Sequence, residues 1–554
     1  MRSPAATPFL LALLIGVSLA PALAGGDDTG PPAGGRFSLF AGGREAGYSE
    51  CRVEVTGGSL VVEERARLSR DDREQDLTLR LGIDGANGRL LSFWATGTQG
   101  GVSRVATLSA EQGGLRGEIR EGDAARQVEL AGPDGAAVLA EPFTAPWVLL
   151  AARYDRARGG AQSFPAIYPL EGLAGEVVLS LRGEEAIEID GRAFLATHLV
   201  GEPDRAEPVN LWVAEDGRLL VAARSVAGLS AVRGATARMG LRDGEDPPDP
   251  EGVASVRVRF SGPGFPFSGT VMKPAAGGDG PFPAVLLVSG SGPQDRNGNA
   301  PGTELQWNHL HALAVALARA GVASLRYDER GVGGSGGSFS DASFRDLCTD
   351  ARSALDYLAS RDDVLPERVG VLGHSEGGLI AAVLAADGPV AAVALLGAPA
   401  QPLDRLLLWQ VENRLALRGT PEGEAKRILG RMRAFFEHVR LSTGPVVRWE
   451  GRVREAAWLR EHLDLDLPML YGRVTCPVLV LHGDRDLQVP AGDAAVVAGS
   501  LRSAASVKEV VTPGADHFLM PSGREGLADY AETRRELDGT ALGLLSEYFR
   551  ATLR

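Results

Sequence analysis

Three residues in the last third of the chain are of the types needed for nucleophilic acyl transfer. The first is Ser375, within Gly373-His374-Ser375-Glu376-Gly377-Gly378. An apolar strand pattern, Val369-Gly370-Val371-Leu372, runs into it, and an apolar helical pattern leaves it. A sharp strand-to-helix turn of this kind holds a serine in a strained conformation and exposes its hydroxyl. Glycines flank it because side chains there would strike neighbouring backbone. The serine also falls at a helix N-terminus, where negative charge is favoured. The second residue is His517, in the loop Gly514-Ala515-Asp516-His517-Phe518 before the last helical pattern. Its imidazole can take the serine proton and later deliver it to a leaving group. The third is a carboxylate just past the strand pattern Val478-Leu479-Val480-Leu481. There His482-Gly483-Asp484-Arg485-Asp486 offers two candidates. Asp486 is the expected one and Asp484 its competitor; the chosen carboxylate would fix the imidazole tautomer and stabilise the imidazolium.

In a chain with 72 glycines the Gly-x-Ser-x-Gly spacing alone says little, and Gly333-Gly334-Ser335-Gly336-Gly337 satisfies it too. No apolar strand runs directly into that copy and no helix directly leaves it, so Ser335 is expected to be a loop residue.

The elements that must position these groups alternate along the second half. Val256–Phe260 and Gly269–Met272 read as an opening antiparallel pair. Unbroken apolar strands follow at 284–288, 322–325, 369–372, 390–396 and 478–481, with helical patterns at 311–320, 344–360 and from Ser375. Fully apolar strands alternating with helices predict an α/β class with a doubly wound, mostly parallel sheet covered on both faces. Residues 402–471 interrupt this order with a charged helical stretch, expected to form a helical cap over the carboxyl edge of the sheet. Residues 37–241 carry short alternating segments, such as Leu77-Thr78-Leu79-Arg80-Leu81, separated by turn signals such as Glu215-Asp216-Gly217. They predict a β-rich antiparallel domain, with one short helix near Ala145–Tyr154. The polar, proline-rich 242–250 reads as the linker, so the second domain is expected over 251–554.

The segment from about Val256 to Arg554 resembles the α/β-hydrolase superfamily and, within it, bacterial esterases and serine-aminopeptidase-like hydrolases. The resemblance rests on Gly-His-Ser-Glu-Gly-Gly at 373–378, Leu-His-Gly-Asp-Arg-Asp at 481–486 and Asp-His-Phe at 516–518. The order Ser, Asp, His along the chain is that of the fold. Asp328-Glu329-Arg330-Gly331-Val332-Gly333-Gly334-Ser335 is similar to the family's D-x-R-G-x-G-x-S loop, which gives Ser335 a structural role. Ser289-Gly290-Ser291-Gly292-Pro293-Gln294 stands where the family has its His-Gly oxyanion loop, with serine in place of histidine. The resemblance implies backbone N–H donors from Glu376 and from Ser291 or its neighbour. It also implies a cofactor-free, metal-free hydrolysis of carboxylic esters through an acyl-enzyme. Two alternatives stand beside this: a peptidase of similar triad acting on short peptides or N-terminal residues, and a non-catalytic binding protein on the same fold.

The remaining features bound the answer. The chain has 554 residues, enough for more than one core. Its net charge of −14 and the lack of a basic stripe argue against nucleic acid or anionic membrane partners; the resemblance implies a small ester or short peptide as the ligand. Cys51, Cys348 and Cys476 lack the spacing of a zinc or redox site. His309 and His311 fall on different faces of a helix, with no third ligand apparent. Trp409, Phe435, Phe436 and Trp458 in the inserted stretch are either its core or the lining of an acyl pocket. Met1-Arg2, the apolar run Phe9–Ala20 and Ala22-Leu23-Ala24 read as a signal peptide over 1–24. The mature chain is then expected to be periplasmic or secreted, with no membrane span.

Overall fold

A computed structural model describes residues 34–523 and 535–554, except 42–43, 71–72, 100–101, 112–113, 141–142, 190–191, 205, 207, 225–228, 235–245, 276–279, 301–306, 340–341, 418–419, 421, 445 and 450–451. The expected signal peptide and residues 242–245 of the expected linker lie outside the described residues.

Period-two patterning in the first half produces fifteen strands: β1 Gly35–Ala41, β2 Arg44–Thr56, β3 Ser59–Arg70, β4 Arg73–Asp84, β5 Leu90–Gln99, β6 Val102–Glu111, β7 Gly114–Glu121, β8 Ala124–Leu130, β9 Ala137–Val138, β10 Ala161–Tyr168, β11 Leu173–Ile189, β12 Arg192–Pro203, β13 Val209–Ala214, β14 Leu219–Arg224 and β15 Leu229–Arg233. They form one sheet in the order β8-β7-β6-β5-β4-β3-β2-β1-β15-β14-β13-β12-β11-β10-β9, antiparallel except for β9 beside β10. The chain starts in the middle of the sheet, meanders to one edge, crosses over, and meanders back until β15 pairs with β1. Helix α1, Ala145–Ala151, lies between β9 and β10, where the sequence predicted a short helix. Trp147, Val148 and Leu150 of α1 share a single hydrophobic cluster with inward-facing residues of strands from both halves of the sheet.

Among the described residues, a charged side chain faces inward. In β3 the buried set is Leu60, Val62, Glu64, Ala66 and Leu68, so Glu64 points into the core and is fully buried. Its carboxylate accepts the Ser49 hydroxyl at 2.6 Å and the backbone N–H groups of Thr144 and Ala145 at 2.8 and 2.7 Å. The two amides belong to the open N-terminus of α1, which otherwise lacks a side-chain cap. Glu64→Ala is expected to cost about 3 kcal/mol of stability, since it orphans two buried amides. Urea unfolding midpoints of wild type, Glu64→Ala and Glu64→Gln would check this, with the glutamine variant in between.

The second half begins where residues 246–250 attach to it. Asp246 pairs with Arg326 at 3.0 Å and accepts the Thr270 hydroxyl at 2.5 Å, while Asp249 accepts the Ser255 N–H at 2.8 Å. This end of the expected linker is thus pinned rather than free. Eight strands follow as a second sheet: β16 Val253–Ser261, β17 Pro266–Pro274, β18 Phe282–Val288, β19 Ala323–Tyr327, β20 Val364–His374, β21 Val393–Leu396, β24 Val478–Gly483 and β25 Val507–Thr512. Their order is β16-β17-β19-β18-β20-β21-β24-β25, and every pairing from β19 to β25 is parallel. Alternate residues of one strand serve different layers. Leu286 and Val288 enter one core, with Leu347 of α3 (Phe344–Ala359) and Leu379 of α4 (Glu376–Asp387). Val285 and Leu287 enter the other, with Leu313 of α2 (His309–Arg319) and Phe549 of α10 (Gly539–Thr552). Apolar residues on both faces are what a sheet covered by helices on both sides demands.

Between β21 and β24 lie α5 (Leu403–Leu417), α6 (Glu422–Leu441), α7 (Ala457–Leu463) and α8 (Leu467–Gly472). The expectation of an all-helical stretch here needs amending. β22 (Val446–Trp449) and β23 (Arg452–Glu455) form a hairpin within it, in line with the β-branched and aromatic Val446, Val447 and Trp449. Phe436, Val439, Val447 and Leu463 form a small core of this region's own. One more helix, α9 (Asp493–Ser500), joins β24 to β25. No helix among the described residues is long and apolar enough to cross a membrane.

Candidate active site

Strand β20 delivers Ser375 to the sheet's carboxyl edge, and α4 leaves from it. The turn between them forces Ser375 to φ 56° and ψ −119°, a conformation that non-glycine residues rarely adopt. The flanking glycines are required by contact. A Cβ on Gly373 would lie 2.0 Å from the Gly377 carbonyl oxygen, and one on Gly377 would lie 2.3 Å from that of Ser289.

His517 stands in the loop after β25, almost fully buried. Its Nδ1 is 2.7 Å from Asp486 Oδ2. The other oxygen of Asp486 accepts the backbone N–H groups of Gln488 and Val489 at 2.7 and 2.8 Å, and His482 Nε2 approaches Oδ2 at 3.2 Å. Burial alone would raise the Asp486 pKa. The charge of His517 and hydrogen bonds from His482 and His517 outweigh it and hold the carboxyl well below its ordinary value. These contacts favour the ionised carboxylate. Asp484 is exposed and accepts the Gly514 N–H at 2.6 Å, so it ties down the histidine loop and does not touch the ring.

Neighbouring residues close around this pair. His374 Nε2 lies 3.0 Å from the His517 carbonyl oxygen, and its ring packs 4.7 Å from that of His517. Gly397 stands at φ 56°, and a Cβ there would make a tight 3.1 Å contact with the His517 ring. A Cβ on Gly290 would lie 3.2 Å from that of Ser375 and 3.3 Å from His374 Nδ1. The loop after β18 thus runs alongside the serine. Ser291 itself is exposed, and its carbonyl accepts the Gln294 side-chain amide at 3.3 Å.

Two side chains of the Asp328-Glu329-Arg330 motif hold that loop. Ser289 donates its hydroxyl to Glu329 Oε1 at 2.8 Å, and the Gln294 N–H donates to Glu329 Oε2 at 2.8 Å. Burial pushes the Glu329 carboxyl well up. Arg296 pairs with Asp328 at 2.6 Å and donates to Ser268 at 2.7 Å, which makes it a loop brace. Adjacent residues of the Asp328-Glu329-Arg330 motif therefore brace opposite ends of the loop. Ser335 is buried, donating to the Asp328 carbonyl at 2.7 Å and accepting the Ser268 N–H at 3.0 Å. It is structural, as expected.

His309 is buried against the rings of His374 and Phe518, each 5.3 Å away, and neither of its nitrogens has a hydrogen-bond partner among the described residues. Burial pushes its pKa down to about 3, and that of His311 to about 4. His374 lies well below its ordinary value for the same first reason. A folded pKa below the unfolded value of about 6.5 means that the unfolded chain binds protons first. The stability this ring contributes is present above about pH 6.5 and is lost as pH falls toward about 3. Wild type is expected to lose more stability than His309→Phe between about pH 6.5 and about pH 4, measured by urea unfolding.

An order of strands that is parallel after an antiparallel start, with a strained serine at the end of a central strand leading straight into a helix, is the arrangement of the α/β-hydrolase fold. Residues 301–521 match the family model described as serine aminopeptidase, S33. Over these residues the second half of the chain is similar to α/β-hydrolases. Esterase EstD of Thermotoga maritima is 29% identical over 275 residues, covering 49% of this chain and 61% of that protein. An uncharacterized protein of Mycobacterium tuberculosis is 36% identical over 157 residues, covering 26% of this chain and 50% of that protein. The matches thus span about half to three-fifths of these relatives. Est1E from Butyrivibrio proteoclasticus, solved with ferulic acid bound, aligns at 19% identity and a TM-score of 0.35, covering 53% of this chain and 96% of that one.

Proposed function

We propose that the protein is an exported serine hydrolase that cleaves carboxylic esters of small molecules. The observation that carries this reading is the 2.7 Å pairing of His517 with the buried Asp486 carboxylate, beside a serine held at positive φ. On this reading Ser375 Oγ attacks the ester carbonyl as His517 takes its proton. Asp486 keeps Nδ1 protonated, so that Nε2 is the base. The tetrahedral oxyanion is met by the backbone N–H of Glu376 at the start of α4 and by that of Ser291 or its neighbour. His517 then protonates the leaving alcohol, and water repeats the sequence on the acyl-enzyme. Helices α5 to α7 and their hairpin would act as a cap that shapes the acyl pocket.

A peptidase would call for cap carboxylates gathered to hold a free amine. Among the described side chains, Glu412 is exposed and Glu422 and Glu437 form exposed ion pairs with Lys426 and Arg440, which favours the ester reading; the Glu424 side chain lies outside the described residues. The test is a p-nitrophenyl ester series, from acetate to dodecanoate, beside aminoacyl and dipeptidyl p-nitroanilides. Ester turnover that is lost in Ser375→Ala supports the proposal. Anilide turnover with poor ester turnover would replace it with the peptidase, and no turnover of either would leave a binding protein.

A further inference from the structure

The side chain of Glu376 has a role of its own. It is the first residue of α4, and its own N–H is the oxyanion donor in the proposed reaction. Its carboxylate is not directed to solvent; the side chain is only 6% exposed. A single oxygen, Oε1, accepts two hydrogen bonds: Trp458 Nε1 at 2.6 Å and His462 Nε2 at 2.5 Å. Both donors lie on α7, a helix of the inserted region 86 residues away in sequence for His462.

The surroundings fix this contact from several sides. The His462 ring packs between Phe344, at the start of α3, and Trp458, each at 4.5 Å. Glu461, the neighbouring residue, accepts the Arg345 N–H at 2.8 Å. Leu463 of α7 enters the core of the inserted region. A second tie lies nearer the histidine: Gln410 of α5 donates its side-chain amide to the Gln488 carbonyl at 2.6 Å, two residues from Asp486. The inserted region is therefore fastened beside both ends of the proposed triad.

We infer that Glu376, Trp458 and His462 form a latch in which two side chains of the inserted region position the oxyanion donor. This inference rests on the catalytic reading above. The physical argument is one of leverage. The Glu376 N–H must point at an oxygen that becomes charged only in the transition state, and such donors work when they are held in place beforehand. The residue follows a serine in a strained turn, so its peptide has no regular helical partner to orient it. Two charge-assisted bonds to its side chain supply that constraint. Trp458 and His462 are positioning residues here. They act through Glu376 and make the hydrolase's rate depend on the seating of the insertion.

The experiment compares wild type, Glu376→Ala, Glu376→Gln and Trp458→Phe in steady-state hydrolysis of p-nitrophenyl acetate and p-nitrophenyl octanoate, with Tm recorded for each. Glu376→Ala is expected to lower kcat by about tenfold to a hundredfold, with KM within about threefold for both esters. Glu376→Gln should restore most of the loss, because its carbonyl oxygen can take the place of Oε1. Trp458→Phe keeps the ring and removes one donor, so it should show a smaller fall in kcat. It also keeps the test open if Glu376→Ala does not fold. Active wild type with kcat unchanged in both Glu376→Ala and Trp458→Phe would overturn the latch alone. So would a glutamine variant as impaired as alanine, or losses confined to KM and Tm, which is the pattern of a purely structural contact. Wild type that neither turns over an ester nor reacts with a fluorophosphonate would remove the catalytic reading and the latch with it.

Discussion

Replacing Ser375 with alanine is expected to lower ester turnover by about 10^5-fold or more, with the fold intact. The size follows from the division of labour in a nucleophile–base pair. Once the attacking oxygen is gone, His517 has no proton to accept, and what remains is stabilisation of a water reaction by the oxyanion donors. Alanine retains the Cβ and hence the positive-φ strain at this turn, so backbone geometry is preserved. Turnover is read with p-nitrophenyl acetate, and thermal unfolding reports the fold. A residual rate within a few fold of wild type would mean that another group is the nucleophile. Ser335 is not a substitute, since its hydroxyl is committed to the Asp328 carbonyl and the Ser268 amide.

Asp486→Asn is expected to lower kcat by about 10^4-fold. Asparagine has the shape of aspartate but can present only one acceptor oxygen. Oδ1 serves the amides of Gln488 and Val489, while Oδ2 receives His517 and His482. If the amide oxygen stays with the two backbone donors, its NH2 group faces the His517 ring. His517 must then present a lone pair at Nδ1 and a proton at Nε2, the wrong tautomer for a base. The companion variant Asp484→Asn is expected to change kcat by less than about tenfold, because among the described residues its side chain meets the Gly514 amide and not the His517 ring. Comparable losses in the two variants would contradict the assignment.

The contrast between these two aspartates shows where the sequence stops being informative. Both stand just past β24, and spacing from a strand end cannot say which side chain turns toward the histidine. The choice depends on the turn made by residues 486–489, whose amides fold back onto Asp486. Ser375 and His517 were legible because each sits in a loop that a strong apolar pattern precedes or follows. The parallel strands were legible because both of their faces are apolar, and β25 was less so: it is an edge strand carrying Lys508 and Glu509, largely exposed.

Three groups escaped for a shared reason, that a carboxylate's partners are distant in sequence. Glu64 is in phase with Leu60 and Val62, and strict attention to that phase marks it as an inward-facing carboxylate. Glu329 lies inside a recognisable loop motif, yet its targets are 35 and 40 residues away. His462 and Trp458 gave only the signal of an aromatic pair at helical spacing, which a core would give equally well. In each case sequence supplied the element and its buried face, while the partner was set by how elements are packed.

The account rests on Ser375 being the residue that carries the acyl group. The most direct measurement is the intact mass of the purified protein after brief exposure to a fluorophosphonate probe, followed by peptide mapping, in wild type, Ser375→Ala and His517→Ala. The account predicts one adduct per chain on the peptide holding Ser375, none in Ser375→Ala, and labelling slowed strongly in His517→Ala. An adduct on Ser335 or another serine, or wild type that stays unlabelled while folded, would contradict it.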